Sequence, residues 1–350
     1  MLKDAAEEDV LLDRLLAYDA ELTKLDGGDG CVLVCPGLQG RIFCLIGDEL
    51  IHRLDIAALE SPSPTEFNNL GGNSLWPAPE GGPFAFNYPP DGGPWRVQKA
   101  IGEDAATLVY RDDTTAVMEK RIDLTNRKGV QIEILYRRAV SVPTPEPPLQ
   151  EFDLAGLTYR TEDSFEPLGS YATNEVLLAP WSLEQFPGAE GVLAFCKVRR
   201  PETAVNEDFY GRPEGRIAFG QGHFTFALGG QDRHQIGVRV ASAPEYIGAL
   251  DANRSMLMLR RTEPQRGVYF NIADNDQADG PYSAADCYSM FNGGALGFFE
   301  LETVGAMQVA GEYVAASTLV SETILLKGRM EELLRYLAER ESLRLNIDAL

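Results

Sequence analysis

The feature that most constrains this chain is a series of short segments in which apolar and polar residues alternate. Apolar residues occupy every second position of residues 130–136, 224–228 and 236–240. A period of two is that of a β-strand with one buried face. Turn sequences rich in Gly and Asn separate such segments, for example at 126–129 and 229–232. Because no helical pattern alternates with the strands, the sequence predicts a large antiparallel β-sandwich rather than a parallel α/β fold.

Amphipathic helices are predicted on either side of this β-rich region. Residues 4–25 and 328–346 carry leucines at helical spacing with acidic residues between them, and a glycine-rich turn follows the first. We therefore divide the chain into an N-terminal helix at residues 1–28, a β-sandwich domain at 29–327 and a C-terminal helix at 328–350. The simplest interpretation is that both helices pack on the outside of the sandwich.

The charge balance narrows the class of partner. The chain has 350 residues, with 31 Lys and Arg against 53 Asp and Glu, and a formal net charge of −22. Such a charge repels phosphate backbones and anionic lipids, so neither nucleic acid nor a membrane is expected as a partner. Neutral or cationic small ligands remain. We see no basic, apolar leader and no apolar run of 18 residues, and we therefore expect a cytoplasmic location.

The cysteines give no sign of a metal centre. Among the five cysteines, only Cys31 and Cys35 have a close spacing, and no histidine lies near them. An odd number of scattered cysteines is typical of reduced thiols. Because no Gly-rich phosphate loop and no metal-binding His pair occurs either, we predict no metal and no cofactor.

A loop at residues 67–82 concentrates amides, a tryptophan and a carboxylate among glycines and prolines. It contains Asn69, Asn73, Trp76 and Glu80. A Trp ring covers the apolar C–H face of a pyranose, and Asn and Glu bind its hydroxyls, so these four residues are candidate sugar-binding groups. The alternative is that Trp76 closes the end of the sandwich and the amides cap turns.

The same loop carries a resemblance to a known family. The segment from Asn68 to Gly82, NNLGGNSLWPAPEGG, resembles a loop in uncharacterised bacterial proteins of the galactose mutarotase-like group, which includes the aldose 1-epimerases. By the order of its segments, the resemblance extends over about residues 30–327. It implies a mostly β fold, the galactose mutarotase-like β-supersandwich, with flanking N- and C-terminal helices.

Weaker resemblances in other segments suggest further site residues. Arg41 lies in residues 37–42, a segment similar to the early strand on which mutarotase-like proteins place a sugar-facing arginine. Trp181 follows Ala-Pro in a segment similar to a middle strand of the uncharacterised relatives. Glu302 lies in residues 297–304, which resemble the late strand that carries the family's glutamate. The resemblance thus implies that Arg41 and Trp181 bind the sugar and that Glu302 is the catalytic base. The alternatives are that Arg41 forms a structural ion pair and that Trp181 belongs to the core.

The late strand also supports this chemistry on physical grounds. Glu300 and Glu302 share one face, about 7 Å apart at two-residue spacing. In a cleft, such a pair raises one pKa and supplies a general base, whereas on an exposed face both acids would simply be solvated. The candidate acid is His223, whose segment is similar to the histidine strand of mutarotases but follows the Trp181 strand, out of the family's order. The two histidines that mutarotases place beside the sugar have no clear equivalent.

Together these features favour carbohydrate recognition on a concave sheet face. The protein would be either an aldose 1-epimerase-like isomerase or a non-catalytic sugar-binding protein, with a small carbohydrate as its partner. A structural or assembly protein, built on the two amphipathic helices, is the third interpretation. It predicts that Trp76, Trp181 and Arg41 do not converge. The sequence leaves the sugar and the oligomeric state open.

Overall fold

The structure is a computed structural model that describes residues 5–143, 149, 151–209, 213–263, 265–273 and 285–347. Within these residues, two ten-stranded antiparallel sheets make up most of the fold. The first sheet contains β1 (Thr23–Gly27), β2 (Gly30–Cys35), β3 (Arg41–Ile46), β4 (Glu49–Leu50), β5 (Asn73–Ala78), β10 (Ala179–Pro187), β12 (Val205–Asn206), β15 (His234–Arg239), β18 (Asp286–Asn292) and β19 (Phe298–Val304).

The strands of the first sheet lie in the order β1-β2-β3-β5-β10-β19-β18-β15-β12, with β4 paired to β3. Strands distant in sequence are therefore neighbours at its centre, where β10 pairs with both β5 and β19. This arrangement brings residues near positions 75, 180 and 300 together, although no local sequence signal connects them.

The second sheet has the order β13-β14-β11-β16-β17-β22-β9-β8-β7-β6. Its strands are β6 (Thr107–Arg111), β7 (Thr115–Thr125), β8 (Gln131–Ser141), β9 (Ala155–Pro167), β11 (Val192–Val198), β13 (Ile217–Gly220), β14 (His223–Ala227), β16 (Pro244–Asp251), β17 (Met256–Thr262) and β22 (Ser317–Lys327). A separate hairpin joins β20 (Gln308–Ala310) and β21 (Tyr313–Ala315).

The main hydrophobic core lies between the two sheets. The first sheet contributes buried side chains such as Ile42 and Phe299, and the second contributes Ile247, Met258 and Leu325. The strands predicted from alternation at 130–136, 224–228 and 236–240 correspond to β8, β14 and β15. The predicted mostly β sandwich is therefore confirmed.

The helices are α1 (Ala5–Leu16), α2 (Ile56–Glu60), α3 (Lys99–Gly102) and α4 (Met330–Glu339). The apolar side of α4 buries Leu333 and Leu337 against Leu257 and Leu259 of the second sheet. A helix thus lies near each end of the described chain, as predicted. No helix among the described residues is long and apolar enough to span a membrane.

Both terminal helices are shorter than the sequence predicted. The structure ends the first at Leu16 rather than Leu25, because residues 23–27 pair with β2 as the edge strand β1. The buried Asp19 stabilises the turn between them, since its carboxylate accepts hydrogen bonds from the backbone N–H groups of Glu21 and Gly37. The spacing of the leucines fits either a helix or a strand here, and the pairing with β2 makes residues 23–27 a strand. The C-terminal helix α4 ends at Glu339, before the predicted end at 346.

Candidate functional site

A cavity of about 530 Å³ opens on the face of the first sheet that points away from the core. Strands β3, β5, β10, β15, β18 and β19 and the loops before and after β5 supply its walls. The aromatic lining residues are Phe67, Trp76, Trp95, Trp181, Phe291 and Phe298. The polar lining residues are Arg41, Asn69, Ser74, Glu80, Gln185, Arg233, Gln235, Glu300 and Glu302.

Strand alternation explains why these side chains share a face. On β19, Glu300 and Glu302 line the cavity, whereas Leu301 between them is buried in the core. The pairing of β10 with β19 sets Gln185 opposite Glu300. The pairing of β10 with β5 sets Trp181 opposite Trp76. A period of two along each strand therefore produces one continuous polar and aromatic floor.

The centre of this floor is the acid pair, Glu300 and Glu302. The indole Nε1 of Trp181 donates a hydrogen bond to Oε2 of Glu302 at 2.9 Å. The side-chain amide of Gln235 lies 3.3 Å from both oxygens of the same carboxyl. The amide of Gln185 donates to Oε1 of Glu300 at 2.6 Å. Amide and indole groups thus hold both carboxyls in place.

The acid pair retains a proton near neutral pH. Burial raises the pKa of Glu300 to about 7, and the hydrogen bonds from Glu302 and Gln185 offset only part of that increase. Burial, and then the neighbouring Glu300 carboxylate, raise the pKa of Glu302 well above its usual value. Because two adjacent buried carboxylates repel each other, the pair holds a proton that a solvated glutamate would lose.

Arg41 closes one side of the cavity. Its guanidinium donates to Oε1 of Gln39 at 2.9 Å and to the backbone carbonyl of Gly71, and burial lowers its pKa to about 10. Gly71 has φ +88°, and a Cβ there would lie 2.1 Å from the carbonyl oxygen of Arg53. The Gly-Gly step of the loop is therefore needed to bring the carbonyl of Gly71 to Arg41.

A row of aromatic side chains, here called the aromatic wall, extends from Trp181 beside the acid pair to Trp95 at the rim, the solvent-exposed edge of the cavity. The ring centroids of Trp181 and Trp76 are 6.2 Å apart, those of Trp76 and Phe67 are 5.5 Å apart, and those of Phe67 and Trp95 are 6.2 Å apart. All three contacts are edge-to-face, the geometry that aromatic quadrupoles favour. At the rim, the indole of Trp95 donates to Oε1 of Glu80 at 2.9 Å.

Most of the predicted site residues meet in this cavity. Those that line it are Arg41, Asn69, Trp76, Glu80, Trp181 and Glu302. Their convergence is the opposite of what the structural or assembly interpretation predicts.

Asn73 and His223 do not line the cavity. Asn73 points to the inner face of β5, where its amide oxygen accepts from Arg138 at 2.7 Å and its amide nitrogen donates to Tyr159 at 3.0 Å. His223 lies on β14 in the second sheet, with Nδ1 3.2 Å from the carbonyl of Gln221. Grouping either residue with Glu302 was wrong. Asn73 is one position out of phase on its strand, and His223 belongs to the other sheet.

Several cavity residues were missed from the sequence. Gln185 could have been found, because it follows Trp181 by four residues on an alternating strand and so shares its face. Trp95 and Gln235 come from a separate loop and a distant strand, and only the fold brings them in.

Nothing in the described part of the chain resembles a metal centre. No group of three His, Cys, Asp or Glu side chains there has a geometry that could hold an ion. The five cysteines are buried free thiols.

Comparison with known families identifies the chain's relatives. A model described as a family of unknown function, DUF6786, matches residues 12–341, nearly the whole chain. The chain belongs to this family. No curated protein sequence matches this DUF6786 protein.

Two solved structures are among those similar to this DUF6786 protein. It is similar to a proposed aldose 1-epimerase from Escherichia coli K12, with 13% sequence identity over 87% of this chain and 97% of that one, and a TM-score of 0.51. A galactose mutarotase-like protein from Lactobacillus casei is 8% identical over 87% of this chain and 99% of that one, with a TM-score of 0.46. The Escherichia coli match confirms the galactose mutarotase-like fold and, at this identity, nothing finer.

Proposed function

We propose that this DUF6786 protein binds a small carbohydrate in the cavity and interconverts its anomers with the acid pair. The observation that carries the proposal is the position of Glu300 and Glu302, two buried carboxyls side by side in a cavity with an aromatic wall. Burial raises the pKa of both carboxyls, that of Glu300 to about 7, so the pair can both accept and donate protons at pH 7.

The lining favours a sugar over other small ligands. Phe67 and Trp76 offer aromatic surface to the C–H groups of a pyranose, and Asn69 and Ser74 offer polar groups to its hydroxyls. The carboxyls of the cavity and the net charge of −22 disfavour sugar phosphates and uronates. Neutral or cationic sugars are therefore the expected ligands.

The reaction would use one ionised and one protonated carboxyl. The pair shares one proton, and in the form that reacts this proton lies on Glu300, so that Glu302, to which Trp181 and Gln235 donate, is the base. It takes the proton of the anomeric hydroxyl, and the released electron pair forms the C1=O bond. The C1–O5 bond breaks with its electrons moving to O5, which receives the proton of Glu300. Rotation about C1–C2 and the reverse steps give the other anomer.

Glu300 therefore replaces the histidine that the sequence suggested as the acid. The two members exchange charge during ring opening, since Glu302 gains a proton as Glu300 loses one. The pair returns to its starting charge when the ring closes.

A non-catalytic sugar-binding protein is the second candidate. One observation favours it: both oxygens of Glu302 already lie within hydrogen-bonding distance of side-chain donors, the indole of Trp181 and the amide of Gln235. If these bonds persist when a sugar is bound, Glu302 orients donors and takes no proton.

The deciding experiment is polarimetry of freshly dissolved aldoses, with and without the full-length protein, combined with calorimetric titration of the same sugars. Acceleration of mutarotation supports the isomerase. Binding without acceleration supports the second candidate, and the absence of both for all common aldoses excludes a sugar site.

A further inference from the structure

The cavity extends beyond the acid pair to a rim built around Trp95. All three tryptophans of the chain line this cavity. Trp181 is 1% exposed and Trp76 is 7% exposed, whereas Trp95 is 38% exposed. The aromatic wall therefore begins beside Glu302 and ends at the solvent, with Phe67 between Trp76 and Trp95.

The rim tryptophan is held in one orientation. Its Nε1 donates to Oε1 of Glu80 at 2.9 Å, and its ring contacts Phe67 edge to face. A side chain fixed at both its polar and its apolar end has already lost its rotamer freedom, so a ligand that stacks on it pays little further entropy. An exposed aromatic surface fixed in this way is a preformed platform for a flat apolar face, such as that of a pyranose.

The size of the cavity leaves room for this platform to be used. A volume of about 530 Å³ lies within the range of about 300–1,000 Å³ that is typical of sites for drug-sized ligands, and a single pyranose is smaller than such a ligand. The proposed chemistry fixes one sugar ring at Glu300 and Glu302. The end of the cavity at Trp95 and Glu80 is then available to a second unit.

We propose that Trp95 and Glu80 form an outer subsite for a second sugar unit, so that the ligand class is a reducing disaccharide or a longer reducing oligosaccharide. This inference rests on the proposed sugar site. The reducing-end ring lies at the acid pair, because only that ring has a free anomeric hydroxyl. The adjoining ring stacks on Trp95, and one of its hydroxyls donates to the carboxylate of Glu80.

Calorimetric titration of the full-length protein tests the subsite. The probes are two matched sets, glucose with maltose and cellobiose, and galactose with galactobiose, in which each disaccharide has the monosaccharide as its reducing-end ring. For at least one set, the disaccharide should bind about tenfold more tightly than the monosaccharide, as expected for about 1.4 kcal/mol of added contact.

Two variants test whether the affinity difference between disaccharide and monosaccharide arises at the outer subsite. Trp95→Ala should bring the disaccharide-to-monosaccharide affinity ratio close to one, and Glu80→Gln should lower it several-fold without removing a large side chain. Phe219→Ala, which removes an aromatic ring that is 52% exposed on β13, is the matched control and should leave the ratio unchanged. Circular dichroism of each variant verifies the fold.

The outcomes separate the subsite from the site itself. Equal affinities for monosaccharide and disaccharide, or a ratio that survives both Trp95→Ala and Glu80→Gln, overturns the outer subsite while the sugar site stands. If none of the probes binds to the wild-type protein, both the sugar site and the subsite are wrong.

Discussion

The inner face of the first sheet buries Glu184 and the outer face buries Glu302, and the charged groups around these two side chains have opposite signs. On the inner face, Oε1 of Glu184 lies 2.7 Å from Nε2 of His52 and accepts from the hydroxyl of Tyr159 at 2.6 Å. Its Oε2 lies 2.7 Å from Nε of Arg260 and accepts from Thr323 at 3.0 Å. Burial alone would raise the pKa of Glu184, but the Arg260 cation and these hydrogen bonds lower it to about 2.

On the outer face, the charged group that acts on Glu302 is another carboxyl, that of Glu300. Both glutamates are fully buried, yet burial and Glu300 raise the pKa of Glu302, whereas Arg260 and its neighbours lower that of Glu184. The charge of the partner therefore decides the direction of the shift. A carboxylate enclosed by a cation and three hydrogen-bonding side chains stabilises the sandwich, and a carboxyl beside a second carboxyl in a cavity is available for chemistry.

The largest expected effect is on the proposed reaction. Glu302→Gln keeps the shape of the side chain but cannot accept a proton at neutral pH, so we expect the anomer exchange rate to fall on the order of 10²–10⁴-fold. Polarimetry measures this rate. Glu312→Gln, at an exposed turn position, is the matched control and should retain the wild-type rate. A wild-type rate in Glu302→Gln would eliminate Glu302 as the base.

Removing the charge of the buried glutamate should lower stability strongly on the inner face and hardly at all on the outer face. Glu184→Gln leaves the buried Arg260 without its counter-ion, which should lower the free energy of unfolding by about 3–5 kcal/mol. Glu302→Gln keeps the shape of the side chain and, unlike Glu184→Gln, takes no counter-ion from a buried cation, so it should change stability by less than about 1 kcal/mol. Urea denaturation of both variants measures the difference. Equal losses would show that the outer carboxyl is as structural as the inner one.

The dependence of stability on pH should also have opposite signs. The pKa of Glu300 rises from about 4.5 when unfolded to about 7 when folded, so the folded state binds more protons between these values. Its contribution to stability is therefore present below about pH 4.5 and is lost as the pH rises through 7. Glu184, with a folded pKa of about 2, contributes above about pH 4.5 and loses its contribution as the pH falls toward 2.

Thermal unfolding between pH 2 and 8 tests this difference. Glu300→Gln should flatten the decline of melting temperature that the wild-type protein shows between about pH 5 and 7. The buried Asp286, whose pKa burial raises to about 8, adds a decline of the same sign, so the difference between variant and wild type is the quantity to compare. Parallel curves for Glu300→Gln and the wild type would contradict the raised pKa.

The sequence predicts a site correctly where alternation along a single strand is enough to show which side chains share a face. It gave the shared face of Glu300 and Glu302, and the chemistry of the 67–82 loop indicated Trp76 and Glu80. It failed for Asn73, because a shift of one residue along a strand reverses the face, and loop composition does not specify that phase. His223 failed because a local similarity contains no information on which sheet a strand joins.

The remaining part of the site depends on contacts between distant segments. Gln235 reaches Glu302 from β15 only because β18 lies between β15 and β19 in the first sheet. The inner network is equally non-local, since Arg260 from the second sheet donates to the backbone carbonyls of Ser182 and Leu301 in the first. No pattern within a single segment predicts such pairings.

The smallest and sharpest test uses two consecutive residues of β5 that point to opposite faces. Asn73 accepts from Arg138 and donates to Tyr159 in the inner network, whereas Ser74 lines the cavity. Asn73→Ala leaves these buried partners without their bonds, so it should lower the free energy of unfolding by about 1–3 kcal/mol. Ser74→Ala should leave stability within about 0.5 kcal/mol and weaken sugar binding only several-fold, the value of one hydrogen bond.

Urea denaturation and calorimetric titration of the two variants separate the faces. The difference between the two faces is confirmed if Asn73→Ala lowers stability without lowering affinity and Ser74→Ala lowers affinity without lowering stability. A loss of affinity in a folded Asn73→Ala would mean that the inner network also positions the cavity floor. One route for that result is through Ser182, whose hydroxyl donates to the amide oxygen of Asn73 at 3.0 Å and whose neighbour on β10 is Trp181. Ser182→Ala would then reproduce the loss, and an unchanged affinity in Ser182→Ala would exclude that route.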